Sequence, residues 1–294
     1  MMSFISYLIA GISLGSIYAI MALGYTMVYG IAKMLNFAHG DVIMIGSYVV
    51  FYGVNSFGWN PFVSILVSVV VCTVLGIVIE KIAYKPLRRA ASLAVLITAI
   101  GVSYLLENLA LLFFGSASKA FPDVIGLPTI SLAGGQLKLP GTTVFTIFVC
   151  IVIMVGLMLF IKKTRAGQAM LAVSEDKDAA QLMGVNVNRT ISLTFAIGSG
   201  LAAIAGVLLC SQYHVLNPYT GALPGIKAFT AAVFGGIGSI PGAFVGGLLL
   251  GIIEDLSSAY ISSQLANAIV FAVLIIVLLV KPTGLFGKKI REKV

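Results

Sequence analysis

Groups able to do chemistry are few in this chain. Two histidines, three cysteines and ten carboxylates are spread through 294 residues. His214 has no cysteine, aspartate or second histidine at ligand spacing, so no metal centre is expected. Cys72, Cys150 and Cys210 lie far apart inside apolar stretches, which gives neither metal-ligand spacing nor a disulfide framework, and they read as buried thiols. Without a nucleophile–base pair or a ligand cluster, no catalytic residue is assigned and a membrane enzyme is not expected. The phosphate-loop pattern G-x-x-x-x-G-K-S/T is also absent, so the chain does not itself hydrolyse ATP by that mechanism.

The remaining candidates are polar groups in apolar surroundings. An ionisable side chain at a bilayer centre costs about 2.5–3.5 kcal/mol on insertion scales, so each one is a functional candidate. Glu107, followed by Asn108, stands seven residues before Phe114, or about 10 Å along a helix. It reads either as a solvated or packing carboxylate or as a solute contact. Glu254 and Asp255 lie nearer the end of their stretch and read as solvated. Asn36, His39 and Asp41 crowd one turn, where they either cap the stretch that begins near Val42 or line a gate. Asn217, Pro218 and Tyr219 follow His214 in a loop and read as part of a mouth, or of a surface that meets a partner.

Residues 162–189 are too many for a tight turn, and their grammar is helical. Ser174 is placed to cap an N-terminus. Glu175, Asp176 and Asp178 fill a first turn where the helix dipole favours anions, and Gly184 stands where a C-terminal cap belongs. These signals predict a helix over 175–183, with Ala179, Leu182 and Met183 as an apolar stripe on one face. So short a helix is not stable alone. Either its own membrane domain or another subunit must hold it.

The elements that position these groups follow from composition. The chain is 60% apolar and 10% charged, against roughly 45–50% and about 25% in soluble domains. That excludes a water-soluble globular protein and predicts an all-α polytopic membrane protein, a single transmembrane domain over 1–294. Nine apolar stretches, at 4–31, 42–57, 61–80, 92–114, 142–161, 190–213, 227–238, 241–257 and 265–280, are long enough or nearly long enough to span. Those at 227–238 and 241–257 are short and punctuated by Gly235, Gly236, Gly238 and Pro241, which predicts half-helices or a re-entrant hairpin and a total of eight or nine crossings. The first stretch is too long for a signal-peptide core and is read as a retained span. If all nine cross, fifteen of the 18 lysines and arginines fall on one side and only Lys119, Lys138 and Lys227 on the other. The positive-inside bias then puts the N-terminus outside and the C-terminus in the cytoplasm. The net charge of +8 is therefore read as loop charge; no basic face with interleaved aromatics points to nucleic acid.

The outer connection over 115–141 carries Pro122, Pro128, Pro140 and Gly134-Gly135 and reads as turns. Small residues recur every four positions at Gly198, Ala202 and Gly206 and at Gly242 and Gly246, faces on which helices approach closely, within this chain or against a second one. The only internal echo is His39-Gly40-Asp41 against Pro241-Gly242-Ala243. Such Gly-punctuated pairs mark the pathway in some transporters, and chance explains this one equally well.

Asp178-Ala179-Ala180, three residues and then Gly184 resembles the E-A-A-x3-G signature of permease subunits in ABC importers, with aspartate in place of glutamate. The longer family pattern ends I-x-L-P, where this chain has Ile191-Ser192-Leu193-Thr194 at an altered distance. Over its whole length the sequence resembles the smaller permease subunit of branched-chain amino-acid ABC importers. The resemblance rests on GYTMVYGI at 24–31, LNFAHGD at 35–41, AVSEDKDAAQLMGVNVNR at 172–189, LTFAIG at 193–198, NPYTG at 217–221, KAFTAAVFGGIGSIPGA at 227–243 and KPTGLFG at 281–287. It implies an ABC-importer permease fold and a bacterial inner-membrane subunit. It also implies a second homologous permease, two cytoplasmic ATPases that carry ATP and magnesium, an extracytoplasmic binding protein, and no cofactor on this chain. In such permeases the loop helix docks into a groove on the ATPase, which gives that role to Glu175, Asp176, Asp178, Ala179, Ala180, Leu182, Met183 and Gly184. Related permeases carry urea, amides or other amino acids, so the substrate class stays open among these. A secondary transporter would want charged relays at mid-membrane depth and no docking helix, the reverse of this pattern.

Overall fold

The computed structural model describes residues 2–88, 90–132 and 137–287. Arg89, the Gly134-Gly135 pair and Lys288, Lys289, Arg291 and Lys293, used above in the charge and turn readings, lie outside the described residues. The chain is built of α1 (Met2–Ala32), α2 (His39–Asn55), α3 (Pro61–Ile79), α4 (Ser92–Phe114), α5 (Gly141–Lys163), α6 (Arg165–Glu175), α7 (Lys177–Leu182), α8 (Val187–Tyr213), α9 (Ala222–Gly235), α10 (Ile240–Tyr260) and α11 (Ala266–Val280). Six stretches are long and apolar enough to cross a membrane: α1, α4, α5, α8, α10, and α3 together with the π-helical Glu80–Tyr84 and 3-10 Lys85–Leu87 turns that prolong it. α2, α9 and α11 are shorter, at 17, 14 and 15 residues.

Local chemistry sets several starts. Asn60 accepts from the Phe62 N–H with Pro61 at the first helical position, Asn186 accepts from the Arg189 N–H, and Ser239 accepts from the Gly242 N–H. α8 is the most enclosed long helix, while α3, α4 and α5 leave valine, leucine and phenylalanine faces open, as lipid or another apolar subunit requires.

Small residues allow the central helices to touch. A Cβ on Gly15, Gly247 or Gly251 would strike the opposite backbone where α1 crosses α10. Gly198 lies on Gly24, Gly206 on the Ile43 carbonyl, Ala202 is fully buried, and Gly242 and Gly246 rest on Gly235 and Ala231. These packing positions all meet helices of this same chain.

Two expectations need correction. The 115–141 connection is not only turns: β1 (Lys119–Ala120) pairs antiparallel with β4 (Val215–Leu216), and β2 (Ile130–Leu132) with β3 (Leu137–Leu139). Strands of two or three residues are too short to show a period. The half-helices also differ from the expected pair. α10 runs 21 unbroken residues, Pro241 being tolerated in its first turn, so the short helix that accompanies α9 is α2.

Candidate functional site

At the lysine- and arginine-rich end, α6 and α7 form one device. α6 buries Gly167, Met170 and Val173 against the bundle. It continues to Glu175, so Glu175 closes α6 rather than opening the next helix, and Ser174 donates to the Leu171 carbonyl instead of capping. Asp176 is the cap: its carboxylate accepts from the Asp178 and Ala179 N–H groups at 2.9 and 3.0 Å. α7 then spans six residues. Gly184 ends it at φ +85°, a left-handed conformation that favours glycine. The Gly184 N–H donates to Gln181 O and the Val185 N–H to Ala180 O, the paired bonds of a Schellman cap.

The face α7 presents is the reverse of a core stripe. Ala180 is buried under Val185, whereas Leu182 and Met183 are 88% and 84% exposed, and Asp178 and Ala179 are exposed with them. Two large apolar side chains are thus held out on a capped helix at the basic, non-lipid end of the chain, with no neighbour among the described residues to bury them. The helix is tied to α1 by Lys177, whose Nζ donates to the Ala32 carbonyl at 2.9 Å. Burial, then the nearby Arg88 and Lys33 charges, push the Lys177 pKa below the usual lysine value, with Asp178 opposing.

Beside it, Glu80 is fully buried in the π-helical segment and pairs with Arg88; Arg88 also donates to Asn188, and Ser192 donates to the second Glu80 oxygen. This network fastens the end of α3 to the start of α8, the helix that follows α7. Tyr84 donates to Asn36 Oδ1 at 3.0 Å, which ties the Asn36 side chain to this end, while its backbone carbonyl accepts from the His39 N–H at 3.2 Å and keeps it in one turn with His39.

His39 and Asp41 open α2 deep in the bundle. The His39 ring packs on Gly24, where a Cβ would meet its Cε1 at 2.5 Å, and lies tilted against the Tyr25 ring at 4.5 Å between centroids. Gly24 lies eight residues before the end of α1 at Ala32, about 12 Å in. Residues 33–38 therefore turn back into the protein before α2 starts. From the other side, 217–221 descends to start α9. Asn217 forms its turn, accepting from the Tyr219 N–H at 2.9 Å, Pro218 is buried, and Tyr219 stays exposed. The two starts meet at backbone distance: a Cβ on Gly40 would lie 2.6 Å from Gly221 O, and one on Gly225 2.9 Å from Gly40 Cα. His39 Nε2 and Asp41 Oδ2 are buried there without a hydrogen-bond partner. Glu107, half-buried on α4, is near enough to interact with Asp41 electrostatically, while Asn108 donates to the Tyr104 carbonyl of its own helix at 2.7 Å.

The sequence reading missed one constellation. Lys227, counted there as an outer charge, is 4% exposed and pairs with Glu254 at 2.6 Å; Tyr18 donates to the other Glu254 oxygen at 3.0 Å. Glu254 is therefore paired, not merely solvated, and ties α9 and α10 to the middle of α1. Asp255 beside it has a buried oxygen without a partner. The available signal was a lone lysine and a lone glutamate, each in an apolar stretch.

With this geometry in view, comparison with known proteins is specific. Residues 7–278 match the family model described as branched-chain amino acid transport system, permease component. The chain is 46% identical over 302 residues to the high-affinity branched-chain amino acid transport system permease protein LivH of Escherichia coli strain K12, covering 99% of this chain and 98% of that one. It is 45% identical over 304 residues to the corresponding protein BraD of Pseudomonas aeruginosa, with the same coverage. A structure of PsaBC from Streptococcus pneumoniae in complex with Fab matches with a TM-score of 0.52 at 15% identity, over 96% of this chain and 92% of that one, a likeness of fold. The chain belongs to the permease-component family of branched-chain amino acid transport systems.

Proposed function

We propose that this chain is the membrane-spanning permease subunit of an ATP-driven ABC importer for leucine, isoleucine and valine, delivered by an extracytoplasmic binding protein. The substrate class rests on the relatives' transport of branched-chain amino acids. The family is one of transport subunits, and ATP hydrolysis belongs to partner ATPases. This chain binds no cofactor; ATP and magnesium sit on those partners. A second homologous permease completes the pathway.

Nine crossings account for the helices, with α2 and α9 crossing partly as helix and partly as the non-helical segments 33–38 and 214–221. The N-terminus then lies outside and the C-terminus in the cytoplasm, which puts α7 on the motor side. α7 docks on an ATPase through Asp178, Ala179, Leu182 and Met183. Closure of the ATPases moves α7 and, through the Asn188–Arg88–Glu80 network, α8 and α3 together. That motion switches access around the α2–α9 junction between the two sides.

The observation that carries this reading is the outward-held Leu182 and Met183 on a helix capped at both ends. Gly184→Val tests it. The site has open space around it, so the variant loses only the left-handed turn. In proteoliposomes with its partners it should keep binding-protein-stimulated ATP hydrolysis while leucine uptake falls at least tenfold. Normal uptake overturns the docking assignment.

A further inference from the structure

A groove of about 520 Å³ opens at the basic end between the prolonged α3 and the start of α8, and none of the exposed α7 residues Asp178, Ala179, Leu182 and Met183 lines it. Its rim carries Lys81, Lys85 and Arg189, and its wall includes Ile77 and Leu193. The π-helical turn widens α3 here, and Glu80, the carboxylate that could have answered these cations, is already engaged by Arg88 and Ser192. Among the described residues, none of the three rim cations has an ion-pair partner. Above the rim, Val74, Val78 and Ile82 expose an apolar strip along α3. Three unanswered cations beneath an apolar, membrane-facing strip match a ligand with a phosphate head and hydrocarbon tails.

We infer that this groove binds the phosphate headgroup of an anionic phospholipid from the cytoplasmic leaflet, its acyl chains lying along Val74 and Val78. The volume falls within the range of small-ligand sites, and basic pockets between membrane helices on the cytoplasmic side recognise acidic lipid heads. The inference rests on the orientation proposed above. ATP hydrolysis stimulated by the leucine-loaded binding protein, added to the same preparation, distinguishes failure of the one from failure of the other.

The test uses the delipidated permease–ATPase complex in detergent, titrated with dioleoylphosphatidylglycerol and read by native mass spectrometry. One cation-to-neutral change should weaken binding about fivefold, and Lys81→Gln, Lys85→Gln and Arg189→Gln together on the order of a hundredfold. These side chains are exposed, so folding survives their loss, and Lys81→Arg should bind as the unaltered chain does. Phosphatidylcholine with the same tails should bind the unaltered complex no better than phosphatidylglycerol binds the triple variant, and inorganic phosphate should not displace the lipid. Equal binding of the two lipids overturns the inference. So does displacement by phosphate, which would mean a free-anion site, or loss of the ATPases from the triple variant, which would mean a motor-docking surface.

Discussion

The chain leaves continuous helix at α6–α7 and again at the α2–α9 junction, and the two places are built on opposite principles. α7 is made by neighbours in sequence: Asp176 caps one end, Gly184 the other, and among the described residues the rest of the protein holds it through buried Ala180 and the Lys177 hydrogen bond. The junction is made by strangers in sequence, Gly40 against Gly221 and Gly225, pressed backbone to backbone without an exposed face. A device with few attachments can be gripped and moved as a unit. One with no free volume can move only together with the elements that meet there. The same residue type marks both, for different reasons: Gly184 for its φ, Gly40 and Gly221 for their lack of a Cβ.

That contrast is broken most severely at Gly221. A Cβ there falls within the Gly40 carbonyl oxygen, a backbone atom that cannot rotate aside. Gly221→Val should prevent accumulation of folded subunit, an overpacking cost beyond the usual 1–3 kcal/mol, or at least about 3. Membrane yield and size-exclusion profile check it. Because Gly184→Val adds the same atoms where there is open space, that variant should insert normally. Equal yields of the two would mean that the junction is looser than described.

The half-helix α9 is fastened at its side by the Lys227–Glu254 pair. Removing one partner leaves a buried charge uncompensated, a loss of about 3–5 kcal/mol, whereas replacing both with apolar groups of similar size is often neutral. Lys227→Met should therefore lower the thermal midpoint of the purified complex sharply, and Lys227→Met with Glu254→Met should recover most of it. If transport is lost in the thermally recovered double variant, the pair does more than hold α9. If the single change is silent, the pair is not buried in the assembled importer.

How much of this was legible in the sequence follows the same division. The apolar stretches and the Asp178-Ala179-Ala180 to Gly184 spacing could be read directly, because hydropathy and capping are local. The cap was misplaced to Ser174 by a local ambiguity: acidic residues 175–178 serve equally as the end of one helix or the start of the next. Burial of Met170 and Val173, which draws α6 on to Glu175, decides between them. The depth at which α2 begins could not be read, since it is set by Gly24 and Gly221 from distant segments. Nor could the pairing of Lys227 with Glu254, which needs α9 and α10 already placed. Asn36 shares one turn with His39, as their nearness in sequence implies, but the bond of its side chain to Tyr84 could not be read, because Tyr84 comes from a distant segment.

The smallest effect sharpens the account of how α7 is held. Lys177 loses its proton more easily docked than exposed, because burial and then the Arg88 and Lys33 charges disfavour its charged form. Below the lowered value both states are protonated, and the full penalty on docking is present at every pH. Between the lowered value and the ordinary one, about 10.4, the undocked segment binds more protons than the docked one, so docking strengthens as pH rises. The neutral amine still donates to the Ala32 carbonyl, so the tether itself survives deprotonation. A nitroxide at exposed position 181, introduced as Gln181→Cys, should become less mobile through that window in the otherwise unaltered chain and show no such trend with Lys177→Met. The lysine is only partly buried, so solvent screening keeps the change modest. A label that loosens with rising pH would mean that the charge on Lys177, not its hydrogen bond, holds α7 to α1.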